Sequence, residues 1–142
     1  MVQETLQTLF IDEGISTPIE SEMDFIALAR KGVTKRTLQR LADYGGISIK
    51  SLAQLLPISE RTIQRYEDSK KFSPDVSEHL IVIARVLFRG HEVFSDKEAL
   101  NQWLTTSILG LGQRTPLSLL DTSFGAQLVM DELGRLERGV YS

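Results

Sequence analysis

The stretch "SIKSLAQLLPISERTIQRYEDSKKFSP", residues 48–74, decides the fold. Ser48 is placed to cap a short helix whose inner residues are Leu52, Ala53 and either Leu55 or Leu56. Ser59 is placed to cap another, predicted from Glu60 to about Asp68, with Ile63 and Tyr66 turned inward. Only Pro57 and Ile58 separate the first helix from Ser59. Helices joined by so tight a turn must cross at a large angle, and small Ala53 lets them approach. This is the pattern of a helix-turn-helix unit. One residue departs from it: the first turn position often holds glycine, whereas Pro57 fixes φ near about −65°. The turn must then take a different path, or the first helix must end earlier.

Outward from this unit the pattern stays helical. Phe25, Ile26, Leu28 and Ala29 precede a stop at Gly32, and Thr34 is placed to cap a helix with Leu38, Leu41 and Ala42 inside, ended by Gly45-Gly46. After Pro74 a helix is predicted from about Asp75 to Arg89, with Val76, Leu80, Ile83, Ala84 and Leu87 on one face and Gly90 as its stop. Ser95 is the expected cap of the next, which ends near Leu104. "LGLGQR" reads as a loop. "TPLSLL" reads as a helix start, with Thr115 as cap and Pro116 first. The last helix is predicted from about Phe124 to Arg138, its seam Val129, Leu133, Leu136 and Val140. No strand pattern is present, so the expected class is all-α.

Composition narrows the function. Of the 142 residues, 42% are apolar and 25% charged, as in an ordinary globular protein. No apolar run approaches the roughly 20 residues of a membrane span, and no secretory signal is visible. The absence of cysteine removes disulfides, thiolate metal sites and cysteine nucleophiles. The expected location is cytoplasmic. The net charge of −3 conceals an asymmetry: residues 1–29 carry six acids and no base, whereas residues 30–71 carry ten bases against four acids. A basic block inside an acidic chain predicts one anion-binding face.

That face coincides with the helix-turn-helix. Its second helix offers Glu60, Arg61, Thr62, Gln64 and Arg65 to a major groove, where Arg pairs with guanine and Gln with adenine. Lys50, Lys70 and Lys71 flank the unit and suit phosphate contacts.

The chain at this point resembles a known family. Its helix-turn-helix, Trp103, the Leu111-Gly112 loop, "TPLSLL", Gly125 and the ending "LERGVYS" are similar to the Xre/MbcA/ParS antitoxins of bacterial RES–Xre toxin–antitoxin pairs. The resemblance implies an Xre-like helix-turn-helix domain over residues 23–92 and a small helical toxin-binding domain over residues 93–142. Residues 1–22 remain outside it as a mostly flexible acidic leader, in which Leu6, Leu9, Phe10 and Ile11 form a short apolar piece able to dock. It also implies a RES-domain toxin that consumes NAD as partner, occlusion of that toxin's active site by the antitoxin C-terminus, operator DNA as a second partner, and a homodimer. Carried over by motif, Leu136, Glu137, Arg138, Gly139, Val140, Tyr141 and Ser142 form the expected plug. Gly139 would end the helix in a left-handed turn and free Val140 and Tyr141 to fill an apolar cleft. Gln113 and Ile108 depart from the family pattern, where many relatives have glycine and proline. The alternative is a freestanding helix-turn-helix regulator whose C-terminal unit oligomerises or senses another protein.

Other features read as structural. His79 and His91 have no matching ligands for a metal, Gly110-Leu111-Gly112 lacks the strand and lysine of a phosphate loop, and Trp103 reads as a core anchor. No nucleophile–base pairing emerges, so no catalysis, cofactor or metal is expected.

Overall fold

The chain folds as an array of helices in a computed structural model that describes residues 6–15 and 18–139. A 3-10 segment, Leu6–Glu13, leads into α1 (Glu22–Lys31), α2 (Lys35–Gly45), α3 (Ile49–Ala53), α4 (Glu60–Arg65) and α5 (Pro74–Val93). Then come α6 (Lys97–Leu104), two 3-10 turns at Leu109–Leu111 and Leu117–Leu119, and α7 (Ser123–Gly139). Among the described residues no strand forms, and only two isolated bridges, Thr34 with Lys71 and Ile108 with Arg114, interrupt the helical plan. The all-α class and the order of helix-turn-helix before a C-terminal helical unit hold.

The caps at the helix-turn-helix follow from the sequence. Ser48 Oγ accepts the Ser51 N–H, and Ser59 Oγ accepts that of Thr62, each satisfying one donor that a helix start leaves open. Leu52, Ala53, Leu55, Leu56 and Ile63 are buried. Helix α3 stops at Ala53, well before Pro57, so the proline lies in the turn and does not strain a helix.

The second helix is shorter than predicted, ending at Arg65 and not near Asp68. The reason lies in α2. Its first amides need acceptors, and the Lys35 and Arg36 N–H groups donate to the carbonyls of Lys70 and Asp68. Lys35 Nζ also donates to Tyr66 O, at 3.0 Å. The carbonyls after Arg65 thus serve a neighbouring helix.

Within the expected leader, the apolar piece docks on the fold through Leu9 and Phe10. Leu9 and Phe10 are fully buried, and the segment packs on α2 and α5. Each such burial contributes about 1.5–3 kcal/mol, enough to hold a short 3-10 piece in place. Thr34 does not cap α2 with its own side chain. Its N–H and Oγ1 both donate to Glu13 Oε2 at 2.9 Å, and Thr37 Oγ1 donates to the same oxygen. A carboxylate from the leader therefore stands at the start of α2, where the helix dipole favours negative charge.

Helix α5 is the central post, with α1 on one flank and α7 on the other. Gly90 was expected to end it, yet the helix runs on to Val93. A Cβ at Gly90 would lie 2.6 Å from Leu100 Cδ1, so the glycine admits α6 against α5. That packing outweighs the roughly 1 kcal/mol a helical glycine costs. The next helix takes Asp96, not Ser95, as its cap, with Oδ1 accepting the Ala99 N–H at 2.7 Å. "TPLSLL" forms only the turn Leu117–Leu119, because α7 must approach it closely. A Cβ at Gly125 would sit 1.9 Å from the Leu119 carbonyl oxygen.

Candidate functional site

On α4, Arg61, Gln64 and Arg65 are exposed and spaced i, i+3, i+4, which puts them on one face. Thr62 is half-buried, and its hydroxyl lies 2.8 Å from Ser59 Oγ, so it belongs to the cap as much as to the surface. Glu60 is half-buried in the first turn. Arg65, Lys70 and Lys71 line one open hollow beside Tyr66 and Glu67. Lys70 Nζ stands 5.6 Å from the centre of the Tyr66 ring, a cation–π distance that helps fix the loop. Lys50 is exposed on α3 and lies outside that hollow. The tertiary structure therefore brings four of the basic residues around α4 and its following loop, and that surface carries three side chains suited to base edges, Arg61, Gln64 and Arg65.

The C-terminal residues are more constrained than their reading as a plug implied. Leu136 is half-buried on the α7 seam that continues Val129 and Leu133. Glu137 is paired with Arg89 of α5, Nη2 to Oε1 at 2.6 Å. The Arg89 hydrogen bond is the main cause that holds the Glu137 carboxyl below the usual range. Arg138 is exposed in the last turn, where its charge complements the dipole. Gly139 was expected in a left-handed stop but is the last residue of the helix, and it is not among the glycines with positive φ. Val140, Tyr141 and Ser142 lie outside the described residues.

Three exposed apolar side chains in this half escaped the sequence reading: Leu109, Phe124 and Leu128, exposed by 80%, 85% and 52%. The pair Phe124 and Leu128, four apart on α7, was visible as a helical spacing. Whether another element covers that face is a tertiary matter. Among the described residues no group of His, Asp or Glu is placed to hold a metal ion, and no helix is long and apolar enough to cross a membrane.

Comparison with known proteins now bears on both faces. Residues 24–85 match the antitoxin Xre-like helix-turn-helix domain, and residues 89–139 match the antitoxin Xre/MbcA/ParS C-terminal toxin-binding domain. The chain belongs to the Xre/MbcA/ParS antitoxin family. An antitoxin Xre of Yersinia enterocolitica is 41% identical over 88 residues, 61% of this chain and 59% of that protein. An antitoxin Xre of Photorhabdus laumondii is 29% identical over 130 residues, 90% of this chain and 88% of that protein. The aligned part thus spans about three fifths of the Yersinia relative.

Proposed function

We propose that the protein is a cytoplasmic, non-enzymatic antitoxin that neutralises a RES-domain toxin consuming NAD, and that it represses its own operon through α4. The observation that carries this reading is the joint match of both halves to antitoxin domains around a shared helix, α5. Residues 136–142 remain the proposed plug of the toxin's active site, with Leu136, Glu137, Arg138 and Gly139 supplying a rigid helical base. The pairing of Glu137 with Arg89 supports this, because it holds the last turn of α7 in place before any partner binds.

Operator binding is assigned to Arg61, Thr62, Gln64 and Arg65 for base and groove contacts, and to Lys50, Lys70 and Lys71 for phosphates. A homodimer would place two copies of α4 on successive major grooves. Two experiments test the reading. Removing Gly139–Ser142 should release toxin activity with the fold intact; retained inhibition would overturn the plug. Arg61→Ala with Arg65→Ala should abolish promoter retention in a gel shift, and unchanged retention would remove α4 from that role.

A further inference from the structure

We infer that the toxin docks on a second, apolar face of the C-terminal half, formed by Phe124 and Leu128 on α7 and by Leu109 beside it. The inference rests on the toxin-binding reading above and places a contact apart from the C-terminal residues. Phe124 and Leu128 are one turn apart, so their side chains stack along the same face of α7. Glu132 lies one turn further on, and Gly110 is pressed against it: a Cβ at Gly110 would be 2.9 Å from Glu132 Oε1. Leu109 therefore flanks the far end of the same stripe.

At the near end, Phe124 borders a cleft of about 260 Å³ between α5 and the start of α7, with Val82, Leu120 and His79 in its wall. A bulky apolar side chain of a partner fits there. Large apolar side chains exposed to this extent and set side by side mark interaction surfaces, because burying each one contributes about 1.5–3 kcal/mol.

Two observations select a toxin over a second copy of this chain. The whole stripe lies inside residues 89–139, the segment that matches a toxin-binding domain. The acids at the Phe124 end of the stripe also stand together, with exposed Glu78 and Asp121 both lining the cleft. A second copy meeting Phe124 across a two-fold axis would set these acids against themselves. A partner with an apolar projection ringed by Lys or Arg meets both features.

The test uses the full chain and the protein encoded by the adjacent gene, with affinity measured by calorimetry. Phe124→Ala and Leu128→Lys should each weaken binding by at least about tenfold, and Asp121→Lys should weaken it several-fold at low salt. Thermal melts should stay unchanged, because these side chains are exposed. If the unaltered chain binds and the variants bind equally well, this face is not the dock, while the antitoxin reading survives. If the unaltered chain fails to bind, the reading and the inference fall together. Self-association of the unaltered chain that Phe124→Ala abolishes would assign the face to a second copy and overturn the proposal.

Discussion

Arg89 holds both carboxylate oxygens of Glu137, at 2.6 and 3.1 Å, and so ties the last turn of α7 to the central helix. Glu92 also reaches Arg89, at 3.4 Å, so the guanidinium is shared along α5. The pairing joins the end of the toxin-binding domain to a helix that begins in the helix-turn-helix domain.

This pairing predicts an acid dependence of stability. The Arg89 hydrogen bond is the largest cause of the lowered Glu137 pKa; desolvation opposes it, and the charges of Arg89 and Arg138 reinforce it. A carboxyl depressed in the folded state binds its proton more readily when unfolded. Its contribution is present above the ordinary glutamate pKa and is lost as pH falls through the folded value. Melting temperature should therefore decline from neutral pH toward about pH 3, and Glu137→Gln should flatten that decline. It should not remove it, because Asp24 is depressed in the same sense by the backbone amides of Glu20 and Ser21. An unchanged slope in Glu137→Gln would show that the pair adds nothing to stability.

Two glycines of α7 should respond oppositely to alanine. At Gly125 a Cβ collides with the Leu119 carbonyl oxygen, which belongs to backbone and cannot rotate aside. Gly125→Ala should cost about 3 kcal/mol or more in urea denaturation, as overpacking against backbone does. At Gly134 the nearest atom is the end of the Arg138 side chain, at 3.3 Å. Gly134→Ala should stabilise by up to about 1 kcal/mol through helix propensity.

Gln113 sits at φ +60°, the left-handed region that a side chain disfavours by about 1–2 kcal/mol. It follows Gly112, at φ +68°, in the loop closed by the Ile108–Arg114 bridge. The loop thus keeps a glycine-type backbone at a position without glycine. Gln113→Gly should raise stability by roughly 1 kcal/mol, seen as a higher denaturation midpoint with an unchanged slope. A fall in the midpoint would mean that the glutamine side chain contributes more than its backbone strain removes.

Glu13 predicts what the leader does. Its Oε2 accepts from the Thr34 N–H, the Thr34 hydroxyl and the Thr37 hydroxyl, all buried. Glu13→Ala strands these donors and should cost about 3 kcal/mol, since each unsatisfied buried group costs about 1–3 kcal/mol. Hydrogen exchange at the Thr34 amide should accelerate with it. Asp12→Ala, which removes only a partly exposed ion pair to Arg40, should cost about 1 kcal/mol or less. Equal losses from the two substitutions would show that Glu13 has no special place in the fold.

Much of the helical plan was legible because its signals are local. Ser48 and Ser59 stand where a helix start needs an acceptor, and Leu80, Ile83, Ala84 and Leu87 repeat at helical spacing within one element. The basic face of α4 was legible for the same reason: Arg61, Gln64 and Arg65 share it by spacing alone. Several misses turned on the packing of one element against another. Gly90 reads as a stop until Leu100 is seen against it.

The sequence by itself determined the helical class, the position of the helix-turn-helix and the family, because periodicity, caps and motif residues are properties of short segments. Only the tertiary structure decided where Leu6–Glu13 packs, that Glu137 belongs to Arg89, and that Phe124 and Leu128 are left uncovered. Each of these depends on which remote surface meets a given face. No local pattern encodes that, because burial is a relation between segments and not a property of either one.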